Sequence, residues 1–315
     1  MARVFVTGSF NVDHVWHVQT LPLAGATLSG TYSTGPGGKG FNQAVAARRT
    51  GADVRFTCAL GEDAGADLAR RLCASDGIDL CPAPSISPSG AAGIFVDASG
   101  RNSIAIGAGA NASLSADFVA GALQGIGPDD IALCQLESPP TAVAQALTLA
   151  RANAATTVLN PGPANGTLDW ALLDQVDLLT PNETEFATLL ARVVGARLEP
   201  DTVDGIDQHT LHALCRDLLP IGTVIVTLGA SGCFVSHPED ELRGDLHAFY
   251  RIPAEPAKVV DTTGAGDAFS GALVAALAQF PERALIEHVR FANRYAALVT
   301  EHQGAAMAMP LLPVT

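Results

Sequence analysis

The sharpest chemical signal in the chain is a glycine loop that runs straight into an apolar helix pattern: Val259-Val260-Asp261-Thr262-Thr263-Gly264-Ala265-Gly266-Asp267-Ala268-Phe269-Ser270-Gly271. Glycines at 264 and 266 leave the backbone free to gather successive N–H groups around a small anion. The positive end of the helix dipole favours the same charge. Asp267 is the first carboxylate of that helix. Such an Asp can be a simple N-terminal cap, yet a cap does not call for a Gly-Ala-Gly approach. A carboxylate beside an anion cradle is what phosphoryl transfer to an alcohol requires: a base for the hydroxyl and donors for the equatorial oxygens. The amides of Ala265 and Gly266 are the candidate donors. A Gly-x4-Gly-Lys-Ser/Thr sequence is absent, so a P-loop route is not supported.

A second cluster, Gly35-Pro36-Gly37-Gly38-Lys39-Gly40, formally satisfies the Gly-x-Gly-x-x-Gly pattern of dinucleotide binding. Its context contradicts that reading, because the fingerprint belongs in the turn directly after the first strand, which here ends near Gly8. The glycines instead allow the helix that begins near Phe41 to approach a ligand closely, with Lys39 and Asn42 presenting polar ends. Upstream, Asn11 and Asp13 stand two residues apart at the end of the first strand pattern, a spacing that aims both the same way. Together they suit the vicinal hydroxyls of a sugar; an Asx turn is the competing reading of the same segment.

The elements that would position these groups alternate. Apolar strand patterns at 3–8, 53–60, 130–136, 156–160, 176–180 and 223–228 are separated by Ala-rich helical stretches at 38–50, 64–75, 140–152, 183–191 and 264–278. This order predicts an α/β fold: a mostly parallel sheet flanked by helices on both faces. Segments 14–34 and 90–106 carry strand patterning without a covering helix. They predict a small projecting β-sheet, a lid at the edge of a site, within a single domain spanning 1–315. The stretch Pro82 to Pro88 reads as a turn-rich connection.

With 18 Lys plus Arg against 32 Asp plus Glu, the formal charge is −14, which argues against a nucleic-acid or anionic-membrane surface. An anionic ligand must then be held locally. No apolar run is long enough to span a bilayer and no leader pattern opens the chain, so a soluble, cytoplasmic protein is expected. The six cysteines form no Cys-x-x-Cys pair, and the histidine pairs 14/17 and 209/212 lack further ligands at zinc spacing.

Taken in order, GGKGFNQAVAARRTGA, the segments IGAGANASLS, QLESP, NPGPA, TPNETE and TLGASG, and finally DTTGAGDAFSGAL cover nearly the whole chain. In these the sequence resembles the ribokinase (PfkB) family of carbohydrate kinases. The resemblance implies ATP-dependent phosphorylation of a small sugar, D-ribose first. Another sugar (deoxyribose or a ketose), a nucleoside, or a non-catalytic sugar-binding role are the alternatives. It implies Asp267 as catalytic base, and Gly264, Ala265 and Gly266 as the anion hole. Asn11, Asp13, Gly38, Lys39, Asn42 and Glu137 would hold the sugar, and Asn182, Thr227, Gly229, Gly232 and Asn293 the nucleotide. Glu185 would organise Mg²⁺ through water, and Asp261 with the Thr263 carbonyl a monovalent cation, usually K⁺. Ala308 stands where the family commonly has a Ser that assists that cation. A homodimer through the lid strands is expected. Phe10, Trp16 and Phe41 lie near the sugar and lid segments, where they either narrow the pocket or add a stacking face.

Overall fold

The computed structural model describes residues 2–164 and 170–314. Within them the strands are β1 (Arg3–Thr7), β2 (Asn11–Val18), β3 (Gly30–Gly37), β4 (Asp53–Leu60), β5 (Asp79–Pro84), β6 (Gly90–Val96), β7 (Asn102–Gly107), β8 (Ile131–Cys134), β9 (Thr156–Leu159), β10 (Leu178–Leu179), β11 (Thr223–Thr227), β12 (Cys233–Ser236) and β13 (Phe249–Ile252). The α-helices are α1 (Lys39–Arg49), α2 (Ala64–Asp76), α3 (Ala116–Ala122), α4 (Pro140–Ala152), α5 (Trp170–Leu173), α6 (Glu183–Leu189), α7 (Gln208–Leu218), α8 (Ala265–Gln279) and α9 (Leu285–Val299).

Nine strands form one sheet in the order β13-β12-β11-β10-β9-β8-β1-β4-β5. From β5 to β11 all pairings are parallel; β12 and β13 add antiparallel. The period of two sorts its side chains onto two cores. Val4 and Val6 of β1 and Ile131 and Leu133 of β8 pack under α1, α2, α8 and α9. Phe5 and Ala132 face the other way, under α3, α4, α6 and α7. Helix α8 is the exception to amphipathic patterning: residues 267–276 are buried on every side, wedged between α1, α9 and the sheet.

Strand order reverses between β1 and β8: from β1 the chain steps to β4 and β5, and from β8 it steps the opposite way to β9, β10 and β11. A crevice opens at such a switch point, beyond the carboxyl ends of the two strands. The segments that leave those ends are Gly8–Asp13 and Gln135–Glu137, and both carry candidate site residues.

The small sheet runs β3-β2-β6-β7. Strand β2 starts at Asn11 and β3 continues to Gly37, beyond the 14–34 expected, so Asn11 and Asp13 are strand residues rather than an Asx turn. Pro82 and Pro84 lie within β5, not in a connection. Strand β5 is the sheet's edge, where a missing N–H leaves no ladder bond unmade if it faces outward.

Close approach of α1 to α8 depends on Gly271, where an added Cβ would sit 2.4 Å from the Gln43 carbonyl oxygen and 2.5 Å from Ala46 Cβ. Gly271→Ala gains about 1 kcal/mol of helix propensity but overpacks against backbone at a cost of about 1–3 kcal/mol, so the clash wins. Chemical denaturation should therefore show Gly271→Ala less stable than the parent. Gly121→Ala at an exposed position of α3, where nothing lies within 4 Å of the new Cβ, should be at least as stable as the parent.

Candidate active site

Helix α1 is preceded by Gly38, whose φ of 91° is a left-handed conformation that glycine adopts without strain, and no side chain caps the helix locally. Its first N–H groups are satisfied from elsewhere. Lys39 N donates to Glu137 Oε2 at 2.9 Å, and Phe41 N to the Ser9 carbonyl at 2.9 Å. Ser9 Oγ also donates to Glu137 Oε2, at 2.5 Å. This contact brings the ends of β1 and β8 onto one helix N-terminus. It is close because Gly8 and Gly40 lack side chains: a Cβ on Gly40 would lie 2.5 Å from Ser9 N.

Asp267, 6% exposed, sits in the first turn of α8. Asn42 Nδ2 donates to its Oδ2 and Gln43 Nε2 to its Oδ1, each at 2.9 Å. Asn42 Oδ1 is buried without a protein partner. Gly266 is open: an added Cβ meets no atom within 4 Å. Gly264 has φ 78°, and a Cβ there would press on Ala305 at 2.8 Å. The loop thus contains one glycine that the fold needs and one that the fold does not.

Asp13 projects across Gly37, where a Cβ would fall 2.2 Å from its Oδ2. Burial, reinforced by the charges of Glu137 and Asp267, raises its pKa to about 6. No hydrogen bond to the Asp13 carboxylate is seen among the described residues. Asn11 is held by Asn111, whose Nδ2 donates to Asn11 Oδ1 at 2.8 Å and to the Phe10 carbonyl at 3.0 Å. Lys39 Nζ lies 3.9 Å from Glu185 Oε1. Burial works against its ammonium, but Asp267, Glu185 and Glu137 outweigh burial and hold the lysine above its ordinary pKa.

The Asn-x-x-Glu segment is a capping box on α6: Glu185 N donates to Asn182 Oδ1 at 2.8 Å and Asn182 N to Glu185 Oε2 at 3.0 Å. Burial raises the Glu185 carboxyl, and Lys39 only partly offsets it. Asn182 and Thr227 meet in a parallel bridge. Gly232 is fixed by its turn, since a Cβ would fall 2.0 Å from the Ile252 carbonyl, and Asn293 Nδ2 donates to the next carbonyl, Pro253 O, at 2.7 Å. Gly229, φ 49°, opens that turn. These five residues line one stretch at the end of β11, on the β10 side of the switch point.

Asp261 accepts from Thr263 N and Oγ1 through Oδ1, and from Gly304 N through Oδ2. Burial opposes ionisation, yet these donors hold its pKa below the usual range. Ala308 carries no side-chain oxygen. Among the described residues no group of three His, Cys, Asp or Glu is placed to hold a metal.

The aromatic question resolves by register. Phe10 and Phe41 are core residues in edge contact at 5.2 Å. Trp16 pairs with Tyr32 and Phe95 across the small sheet, ring centroids 5.1 and 5.3 Å away, on the face opposite to Asp13. None of the three narrows the space at Asp13. A cleft of about 710 Å³ lies elsewhere, among Ala2, Arg243, Leu285 and His288, and includes no candidate site residue. Sequence reasoning missed Ser9, Gln43 and Gln135 as site-building residues; the Asn42-Gln43 pair, one residue beyond the glycines, was the available signal for one of them.

The chain matches the family model described as pfkB family carbohydrate kinase over residues 1–311. It is 37% identical over 308 residues to the ribokinase of Haemophilus influenzae, covering 97% of this chain and 94% of that protein. A bifunctional ribokinase/ribose-5-phosphate isomerase A of Fructilactobacillus sanfranciscensis is 36% identical over 98% of this chain, which spans 55% of that longer protein. A solved structure of Arabidopsis thaliana ribokinase complexed with ribose and ATP superposes with a TM-score of 0.76 at 28% identity, covering 98% of this chain and 96% of the other. The switch-point site and the near-complete match agree: the chain belongs to the pfkB family of carbohydrate kinases.

Proposed function

We propose that this carbohydrate kinase phosphorylates D-ribose at its 5-hydroxyl with ATP. The carrying observation is the convergence of Asp13, Glu137, Asp267 and Asn42 on one end of the crevice, with Asp13 given no donor among the described residues and Asn42 Oδ1 buried unpaired. Buried acceptors without donors are costly, and a polyol brings a row of O–H donors. The names of the Haemophilus and Arabidopsis relatives support ribose among the polyols. A nucleoside would need flat apolar faces around its base, and Trp16, Tyr32 and Phe95 lie on the far face of the small sheet.

In this reading Asn11, Asp13, Gly38, Lys39, Asn42 and Glu137 bind the sugar. Asp267 takes the proton of the acceptor hydroxyl as its oxygen bonds to the γ-phosphorus and the bond to the β,γ-bridging oxygen breaks, leaving ADP. The amides of Gly264, Ala265 and Gly266 and the N-terminus of α8 meet the charge that spreads over the transferring group. Asn182, Thr227, Gly229, Gly232 and Asn293 hold the nucleotide. Mg²⁺ would come with the nucleotide, shielding the phosphates, with Glu185 reaching it through water; K⁺ would sit by Asp261 and the Thr263 carbonyl. The β3-β2-β6-β7 sheet acts as the lid of a single-domain enzyme. Its exposed Tyr32, Ile104 and Ile106, and the open edges of β3 and β7, suit a homodimer through the lids. Six free thiols, five of them buried, suit the cytoplasm.

ATP turnover measured over ribose, deoxyribose, fructose and adenosine should be selective for ribose; activity confined to adenosine would overturn the substrate. Asp267→Asn should bind sugar and lose about 10²- to 10⁴-fold in kcat, and an unchanged kcat would remove Asp267 as base. The two loop glycines should separate: Gly266→Ala keeps the parent's melting temperature but loses turnover, while Gly264→Ala also loses stability, from its positive φ.

Burial beside Glu137 and Asp267 favours protonated Asp13, so the form able to accept sugar hydroxyls is depleted as pH falls through about 6. The KM for sugar should rise up to about tenfold per pH unit below that point. In Asp13→Asn the KM should be weaker throughout and flat across the same range; a parallel slope would assign the titration to another group.

A further inference from the structure

We propose that Gln43, supported by Gln135, is a positioning residue for the catalytic base, fixing the carboxylate of Asp267 in the plane from which it accepts the substrate proton. This rests on Asp267 being the base. Gln43 and Gln135 are both fully buried. Gln43 Nε2 donates to Asp267 Oδ1 at 2.9 Å and lies 3.3 Å from Asn160 Oδ1, while Gln135 Nε2 donates to Gln43 Oε1 at 2.6 Å. Asn160 in turn spends its Nδ2 on the Thr180 carbonyl, at 2.8 Å.

The direction of donation is fixed by this inventory. Thr180 O can only accept, so Asn160 presents Oδ1 to Gln43. Asp267 and Asn160 together therefore take both amide hydrogens of Gln43, and its Oε1 is left for Gln135. A flipped Gln43 would set its oxygen against a carboxylate and a carbonyl, and its NH₂ against that of Gln135. The relay Gln135 to Gln43 to Asp267 consequently runs one way, from the end of β8 through α1 to the first turn of α8. Its position is reserved by Gly8, where a Cβ would fall 2.1 Å from Gln135 Oε1. Asn42 binds the other oxygen of the same carboxylate, but it also faces the sugar; Gln43 reaches only the base and its supports. With Oδ1 engaged by a buried, rotationally fixed donor, the orientation of Asp267 no longer depends on whether sugar is present.

The test is a double-mutant cycle read as kcat and sugar KM. Gln43→Met, close in volume, should lower kcat by about 10- to 100-fold, the size of a hydrogen bond to a charge, with sugar KM within about threefold. In an Asp267→Asn background, the same substitution should lower kcat no further. Gln135→Met should give a smaller loss that vanishes once Gln43 is Met. Full activity of Gln43→Met, or an equal loss with and without the Asp267 carboxylate, would overturn the proposal. Should Gln43→Met melt below assay temperature, Gln135→Met combined with Asp267→Asn decides by the same rule. An active Asp267→Asn single variant would instead sink the base assignment itself, so the two failures are distinct.

Discussion

The rest of the structure depends on keeping one carboxylate buried at the meeting point of α1 and α8. Desolvating a charge costs several kcal/mol, and a hydrogen bond to a charged group returns about 1.5–3. Asp267 collects one from each of two consecutive residues, Asn42 and Gln43, and stands in the first turn of a helix whose dipole favours it. Two consecutive side chains can reach one carboxylate only if the helices nearly touch. That requirement accounts for Gly271, which has no room for a Cβ against α1, and for the small-residue run that makes α8 apolar all round. It also accounts for Gly8 and Gly40, which let α1 settle against the end of β1.

The same economy governs the helix ends. Helix α1 has no local side-chain cap, and its leading amide is satisfied by Glu137, from the end of β8. A residue that a sugar would touch is therefore also what anchors the N-terminus of the helix carrying Lys39 and Asn42. Glu185 does the same on α6, with Oε2 closing the capping box and Oε1 turned toward Lys39. Side chains held by such contacts cannot drift between rotamers, and that rigidity is what catalysis by positioning requires.

What could be read from the sequence was local. The glycine loop before Asp267 and the alternation of strands and helices announce themselves within windows of 10 to 15 residues, and the structure has the α/β sheet with helices on both faces that they imply. Pairing across the chain was not legible. Gln43 and Asp267 are 224 positions apart and Gln43 and Gln135 are 92 apart, so no pattern at either end signals the relay. Pro82 and Pro84 looked like turn residues because edge position, which tolerates them, is a property of the finished sheet. The side taken by Trp16 was open for a similar reason: only the register against Tyr32 and Phe95 fixes it.

The charge distribution makes the division of labour between the two ends of the crevice a physical necessity. Glu137, Asp267 and Glu185 act on Lys39, and Asp13 lies within the field of Glu137 and Asp267, in a chain of formal charge −14. A field of that sign suits hydroxyl donors and repels phosphate. Phosphate can approach only where the local potential reverses, and side-chain cations are too few to reverse it. Backbone amides at the N-terminus of α8 can, because they carry no counter-charge to desolvate and lie within the first turn, where the dipole is strongest. The acidic wall and the first turn of α8 meet at Asp267: its carboxylate faces the donors of α1, and in the proposed reaction its helix would supply the N-terminus on which the transferring group rests.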